Sequence, residues 1–298
     1  MHKSPGKSPG KPVARPKQRI AILGLGLMGG SLGLALRRRG FFVAGYARRA
    51  ETRKQALRIG AVDKIFDTPQ DAAVKADIVV ICSPVLSVAN LARACMPALS
   101  AKTIVTDVGS TKNHLRGKMA TLGIRFIGSH PIAGSEQQGI EAARADLYKG
   151  AVVVITPPPR TDRRLVGRIA RLWTSAGAGT VLVMQASEHD RLIAVTSHLP
   201  HLLSSMLVKH VHDNGTGNSR QLCGSGFRDV TRIADGSPEM WHDIVATNAG
   251  PILCELDKFR SLLDKYRALI AKKDFEGIRR LLDQSRKQRR TLLGQEEV

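Results

Sequence analysis

Apolar residues recur along this chain in two rhythms, and the rhythm changes once. From residue 19 onward, short apolar runs alternate with longer stretches of helical spacing. The runs over 20–23 and 42–46 predict two strands, separated by a helix over 31–39 that stops at Gly40. The runs over 78–82 and 103–106 are continuous and rich in β-branched residues, as in strands buried on both faces. Further strands are expected over 125–128 and 152–156, with a helix over 87–98. Alternating strands and helices of this kind predict an α/β fold, a doubly wound parallel sheet covered on both sides.

After about residue 184 the strand pattern ceases. Leu253, Leu256, Phe259, Leu263, Tyr266 and Ile270 follow at spacings of three and four, which predicts an amphipathic helix over 251–271. Another helix is expected over 274–293. The chain therefore divides into a sheet domain over 19–185 and an all-α domain over 186–298, with no internal repeat.

Composition changes this picture at the ends. The net charge of +21 is concentrated partly in residues 1–18, a basic, Pro- and Gly-rich stretch with too little apolar surface to offset its ordering entropy. It reads as a disordered tail. More charge lies near the C-terminus, at Arg279, Arg280, Arg286, Lys287, Arg289 and Arg290. No nucleic-acid-binding motif accompanies it, so the excess reads as a solvated basic surface that attracts small anions, with no nucleic-acid partner. No apolar run reaches the ~18 residues of a membrane span, and no secretory leader is visible. Cys82, Cys95, Cys223 and Cys254 show no metal-like spacing. A cytoplasmic location is the expectation.

The first strand runs directly into Gly24-Leu25-Gly26-Leu27-Met28-Gly29. Here GxGxxG has a strand before it and a helix after it. Gly24 permits the tight turn, Gly26 lets the backbone approach a pyrophosphate, and Gly29 allows close helix–strand packing. The helix N-terminus attracts the negative charge. With Leu27, Met28 and Ser83 these glycines are the candidate dinucleotide contacts. The second strand lacks the terminal carboxylate that grips the ribose diol of NAD. Ala47 is followed instead by Arg48 and Arg49, which suit a 2′-phosphate. The expected cofactor is NADP, with NAD possible.

Chemistry-bearing residues cluster in three further segments: TDVGSTK over 106–112, GSHPIAGSE over 128–136, and HDR over 189–191 followed by SHLPH over 197–201. Ligands of open α/β sheets sit beyond the carboxyl ends of the strands. Ser110 and His130 are therefore expected to face the nicotinamide, where a hydroxyl and an imidazole suit oxidation of an alcohol. His189 and Asp190 read equally well as a cap on the first helix of the all-α domain or as part of the site. His198 and His201 share a helix face, but no third ligand stands at a fixed spacing, so no metal is expected.

These segments, with GLGLMGGSLG over 24–33 and GFRDVTRIADGSPEMWHDI over 226–244, occur in an order that resembles the prephenate and arogenate dehydrogenases. The resemblance implies a Rossmann domain and a helical domain that forms a homodimer, with the active site between them. It implies oxidative decarboxylation of prephenate or arogenate in tyrosine biosynthesis. By resemblance His130 is the catalytic histidine and Ser110 its support. Arg232 holds a substrate carboxylate, while His201, Glu136, Asp229 and Trp241 line the pocket. Arg228 is a second cationic candidate for the carboxylate. Two rivals remain on the residues alone. A β-hydroxyacid dehydrogenase shares the glycine loop but uses a lysine in the helical domain, where this chain has SHLPH. A nucleotide-sensing regulator that binds nucleic acid would not need His130, Ser110 and Arg232.

Overall fold

The computed structural model describes residues 18–134 and 137–295. The expected tail, except its last residue, and Glu136 lie outside the described residues. The chain forms two compact units. One holds residues up to Asp190 together with Gly236–Thr247; the other holds Arg191–Asp235 and Asn248 onward. The boundary drawn from the end of the strand pattern, at 185/186, falls just before the first of these crossings.

The first unit is built on strands β1 (Arg19–Leu23), β2 (Phe42–Tyr46), β3 (Lys64–Phe66), β4 (Ile78–Ile81) and β5 (Ile104–Asp107), with helices α1 (Leu27–Arg38), α2 (Ala50–Arg58), α3 (Pro69–Ala73), α4 (Val85–Cys95) and α5 (Asn113–Thr121) between and after them. All five strands are parallel, in the order β3-β2-β1-β4-β5. Alternate residues feed opposite cores. Ile20, Ile22, Ile78, Val80 and Ile104 pack with α1, while Ala21, Leu23, Val79, Ile81 and Val105 pack with α3, α4 and α5. Burial on both faces explains why these strands read as unbroken apolar runs.

A second sheet follows, of β6 (Gly128–Ile132), β7 (Val152–Thr156) and β8 (Thr180–Val183), with α6 (Arg163–Ala176) preceding β8. β6 runs antiparallel to β7, and β8 parallel to it. This corrects the expected strand over 125–128. There the chain makes a single isolated bridge to β5, Phe126 beside Val105, through the backbone bonds of Arg125 and Ile127, and the strand proper begins at Gly128. Pro131 disguised it. The N–H of Ser129 points away from β7, so by the two-residue period Pro131 also turns to the side where no ladder donor is needed.

The remaining elements are helical. Helix α7 (Ala186–Ile193) passes through a π-turn over Ala194–His198 into α8 (Leu199–Asn214); α9 (Ser219–Leu222) and α10 (Ser225–Thr231) follow, then a 3-10 turn over Arg232–Asp235. Helix α11 (Pro238–Ala271) starts well before the expected residue 251 and breaks at Asn248, where φ is −132° and ψ is 24°. Pro251 has no N–H for the carbonyl of Thr247, which accounts for the break. Helix α12 (Phe275–Leu292) is capped by Asp274, whose carboxylate accepts from Gly277 N at 2.8 Å. Leu253, Leu263 and Ile270, the apolar stripe seen in the sequence, are more than half exposed in the single chain. No helix among the described residues is long and apolar enough to cross a membrane.

Candidate active site

The turn after β1 is shaped for a close-approaching ligand. Gly24 adopts φ +105°, and its N–H donates to Tyr46 O at 2.8 Å. A side chain at Gly24 would collide with the Cys82 carbonyl, and one at Gly29 with the Gly24 carbonyl. At Gly26 a methyl group would meet nothing within 4 Å. The first two glycines named are therefore required by the fold, whereas Gly26 keeps space clear. Helix α1 begins at Leu27 with no side-chain cap and no acidic residue in its first turn. Unneutralised helix N–H groups beside an open cradle fit a pyrophosphate. Met28 is held from below, its carbonyl accepting from Tyr148 Oη at 2.8 Å. Ser83 follows β4, with its backbone against the Gly24 turn.

Arg48 and Arg49 stand exposed at the end of β2, beyond the buried Ala47. The sequence reading missed the residue that shapes their loop. Arg53, in α2, donates from Nη1 to Ala47 O at 2.8 Å and to Arg48 O at 3.1 Å, and pairs with Asp67 at 2.9 Å. An arginine in the first turns after such a strand was the available signal.

His130 sits within β6, not beyond a strand end, and the structure joins it to residues distant in sequence. His130 Nδ1 lies 2.9 Å from His189 Nε2, the rings edge to face. His189 Nδ1 lies 2.7 Å from Asp190 Oδ1. Asp190 also accepts from Lys112 N and Asn113 N, each at 2.8 Å. Helix α5 has no cap from its own N-cap side chain, so Asp190 caps it from another element. The expected cap on the first helix of the all-α domain does not form: Asp190 lies within α7 and caps α5 instead.

Ser110 lies in the loop after β5. The residue before it, Gly109, donates its N–H to Asp107 Oδ2 at 2.8 Å. The residue before His130, Ser129, donates to Asp107 Oδ1 at 3.1 Å. Lys112 is wholly buried; its ammonium contacts the same Asp107 carboxylate and donates to Ser129 O at 2.9 Å. Burial pulls this lysine below its ordinary pKa, against the opposing attraction of Asp107. Ser129 and Thr106 share a buried hydroxyl contact at 2.7 Å.

Trp241 belongs to the segment of α11 that groups with the first unit. That segment is fastened twice. Asp243 accepts from Leu86 N at 3.2 Å, and the hydroxyls of Thr247 and Thr111 lie 2.8 Å apart, next to Ser110. In the second unit His201 is buried and hydrogen-bonds to the backbone of Ile233, within the turn that begins at Arg232. Burial holds the His201 pKa below the usual histidine value. Arg228, Asp229 and Arg232 are exposed.

Two family models match the chain. Residues 32–182 match the prephenate dehydrogenase nucleotide-binding domain, and residues 185–284 the prephenate dehydrogenase dimerization domain. A cyclohexadienyl dehydrogenase of Zymomonas mobilis is 34% identical, over 92% of this chain and 96% of its own length. Among solved structures, the prephenate dehydrogenase of A. aeolicus in complex with hydroxyphenyl propionate and NAD+ superposes with a TM-score of 0.87 at 32% identity, covering 94% of this chain and 100% of that one. An arogenate dehydrogenase of Synechocystis gives 0.81 at 31%, covering 92% and 99%.

Proposed function

The chain belongs to the prephenate dehydrogenase family, and we propose that it oxidatively decarboxylates a cyclohexadienol, prephenate or its amino analogue arogenate, with His130 as the base and NADP as the preferred cofactor. The observation that carries this reading is the chain of contacts from Asp190 through His189 to His130. The Asp190 carboxylate accepts two backbone N–H groups at the start of α5 and faces His189 Nδ1 with an acceptor oxygen. His189 then carries its proton on Nδ1 and accepts on Nε2. His130 must donate from Nδ1, so its Nε2 carries the lone pair. The orientation suits an imidazole that takes the proton of the C4 hydroxyl.

A nicotinamide cofactor held at the turn of Gly24, Gly26 and Gly29 would supply the hydride acceptor. As the hydroxyl proton passes to His130 Nε2, the C4–H bond breaks with its electron pair leaving as hydride. The ring carboxylate then departs as carbon dioxide, and its bonding pair completes the aromatic ring. Ser110 is assigned to orient the hydroxyl, and Arg232 to hold a substrate carboxylate through a charge-assisted pair. The expected assembly is a homodimer built through the second unit, whose exposed Leu253, Leu263 and Ile270 would be covered there.

The test is turnover of prephenate and of arogenate with NADP and NAD, followed by the near-ultraviolet absorbance of the reduced nicotinamide. Turnover of either substrate supports the reading. No turnover of either by folded protein that binds the cofactor rejects it.

A further inference from the structure

Main-chain pairing between β5 and the chain entering β6 stops early, and side chains continue it. Val105 N donates to Arg125 O, and Ile127 N to Val105 O, both at 2.9 Å. Further on, β5 ends at Asp107 and a loop leads to α5. The next outward-facing peptide groups, those of Ser129, are met by the Asp107 carboxylate and the Lys112 ammonium. The same carboxylate holds Gly109 N. One buried ion pair therefore grips the residue before Ser110 and both peptide groups of the residue before His130. Lys112 is tied in once more, since its own N–H donates to Asp190, the anchor of His189.

We propose that the Asp107–Lys112 pair is a positioning device for the reaction, fixing the separation of Ser110 from His130; this rests on the roles assigned to those two residues above. Stability alone gives little reason for such a pair. Buried charges stabilise a fold no better than apolar residues of similar volume, and often less well. What the pair provides is direction: two loops from different strands are referred to one carboxylate. Both side chains have no exposed surface, so neither is available as a substrate ligand. They act through Ser110 and His130, where displacement by about 1 Å costs on the order of 10²-fold in rate.

The experiment neutralises the pair with Asp107→Asn and Lys112→Met together, which preserves volume and leaves no lone buried charge. The expected protein is folded and binds NADPH, followed by its fluorescence, with unchanged affinity. Its kcat falls on the order of 10²-fold. In a His130→Asn background the same double change lowers kcat no further, because the base it aligns is gone. Wild-type kcat in the neutralised protein overturns the proposal, as does a second full drop in the His130→Asn background. A His130→Asn protein that itself turns over normally removes the assignment of the base, and the positioning device with it. Should the neutralised protein not fold, Lys112→Arg keeps the charge but moves the contact. Lowered kcat with intact NADPH binding then supports the proposal, and unchanged kcat overturns it.

Discussion

His130 Nδ1 stands 2.9 Å from His189 Nε2, although 59 residues separate the two in sequence. In the proposed reaction that contact decides which nitrogen of His130 takes the proton. Replacing His130 with Asn is expected to lower kcat by roughly 10²–10⁴, the range for loss of a general base. Cofactor affinity, measured by NADPH fluorescence, should stay near wild type, because the glycine turn is built from other residues. Near-normal turnover would remove His130 from the reaction.

Asp190 is expected to matter twice, and Asp190→Asn separates the effects. An amide can still accept one of the α5 N–H groups. With the amide oxygen kept on Asn113 N and its nitrogen in the place of Oδ1, it offers His189 an N–H, so His189 is driven to the other tautomer and His130 Nε2 to the protonated form. A drop in kcat of roughly 10²–10⁴ follows, as in other histidines held in the wrong tautomer. Losing the anion at the α5 N-terminus should cost only about 1 kcal/mol, read from denaturant unfolding. A stability loss without the kinetic one would reduce Asp190 to a cap.

The sequence made some of this legible and concealed the rest for physical reasons. The glycine turn and the buried strands were readable because each is local: a spacing of three glycines, a run of β-branched residues. The pairing of His130 with His189, and of Lys112 with Asp107 and Ser129, is created by tertiary folding. Lys112 closes the TDVGSTK segment, and nothing in its neighbours announced its burial. The onset of β6 was masked by Gly128 and Pro131, residues that seldom form strands. Arg53 lies one helical turn beyond Arg48 and Arg49, and only folding brings its guanidinium back onto their loop.

The glycines of the turn should respond differently to the same change. Gly24→Ala forces a side chain into a left-handed conformation and onto the Cys82 carbonyl. It should cost at least about 2 kcal/mol of stability. Gly26→Ala meets open space, so the melting temperature should hold. Its methyl group would occupy the room kept for the pyrophosphate, raising the cofactor KM about tenfold or more. Equal cofactor KM in Gly26→Ala and wild type would show that the ligand does not come close there.

His201 predicts a pH effect on stability. Burial lowers its pKa below the ordinary histidine value of about 6.5, with the Ile233 backbone contact pulling the other way. Below about pH 6.5 the unfolded chain takes up a proton that the folded chain does not yet accept. The stability linked to His201 is therefore fully present above that value and is lost as pH falls toward the folded pKa. His201→Gln should reduce the fall in melting temperature between about pH 7.5 and about pH 5.5. An identical fall in both proteins would mean that the histidine titrates alike folded and unfolded.

Cofactor choice is where this chain departs most from the NAD pattern. Ala47 stands where a carboxylate would grip the ribose diol, and Arg48 and Arg49 project from a loop that Arg53 fastens at Ala47 O and Arg48 O. A charge-assisted contact to the 2′-phosphate contributes about 1.5–3 kcal/mol. That corresponds to roughly 10- to 150-fold in kcat/KM in favour of NADP. Both arginines are exposed, so salt should erode the preference. Arg48→Ala with Arg49→Ala is expected to abolish most of it while leaving kcat/KM for NAD nearly unchanged. Adding a carboxylate, as in Ala47→Asp with Arg48→Ala, should shift preference toward NAD. Kinetics with both cofactors at low and high ionic strength decide the matter: equal or better efficiency with NAD in the unmodified protein at low salt would leave Arg48 and Arg49 as two more charges on a basic surface.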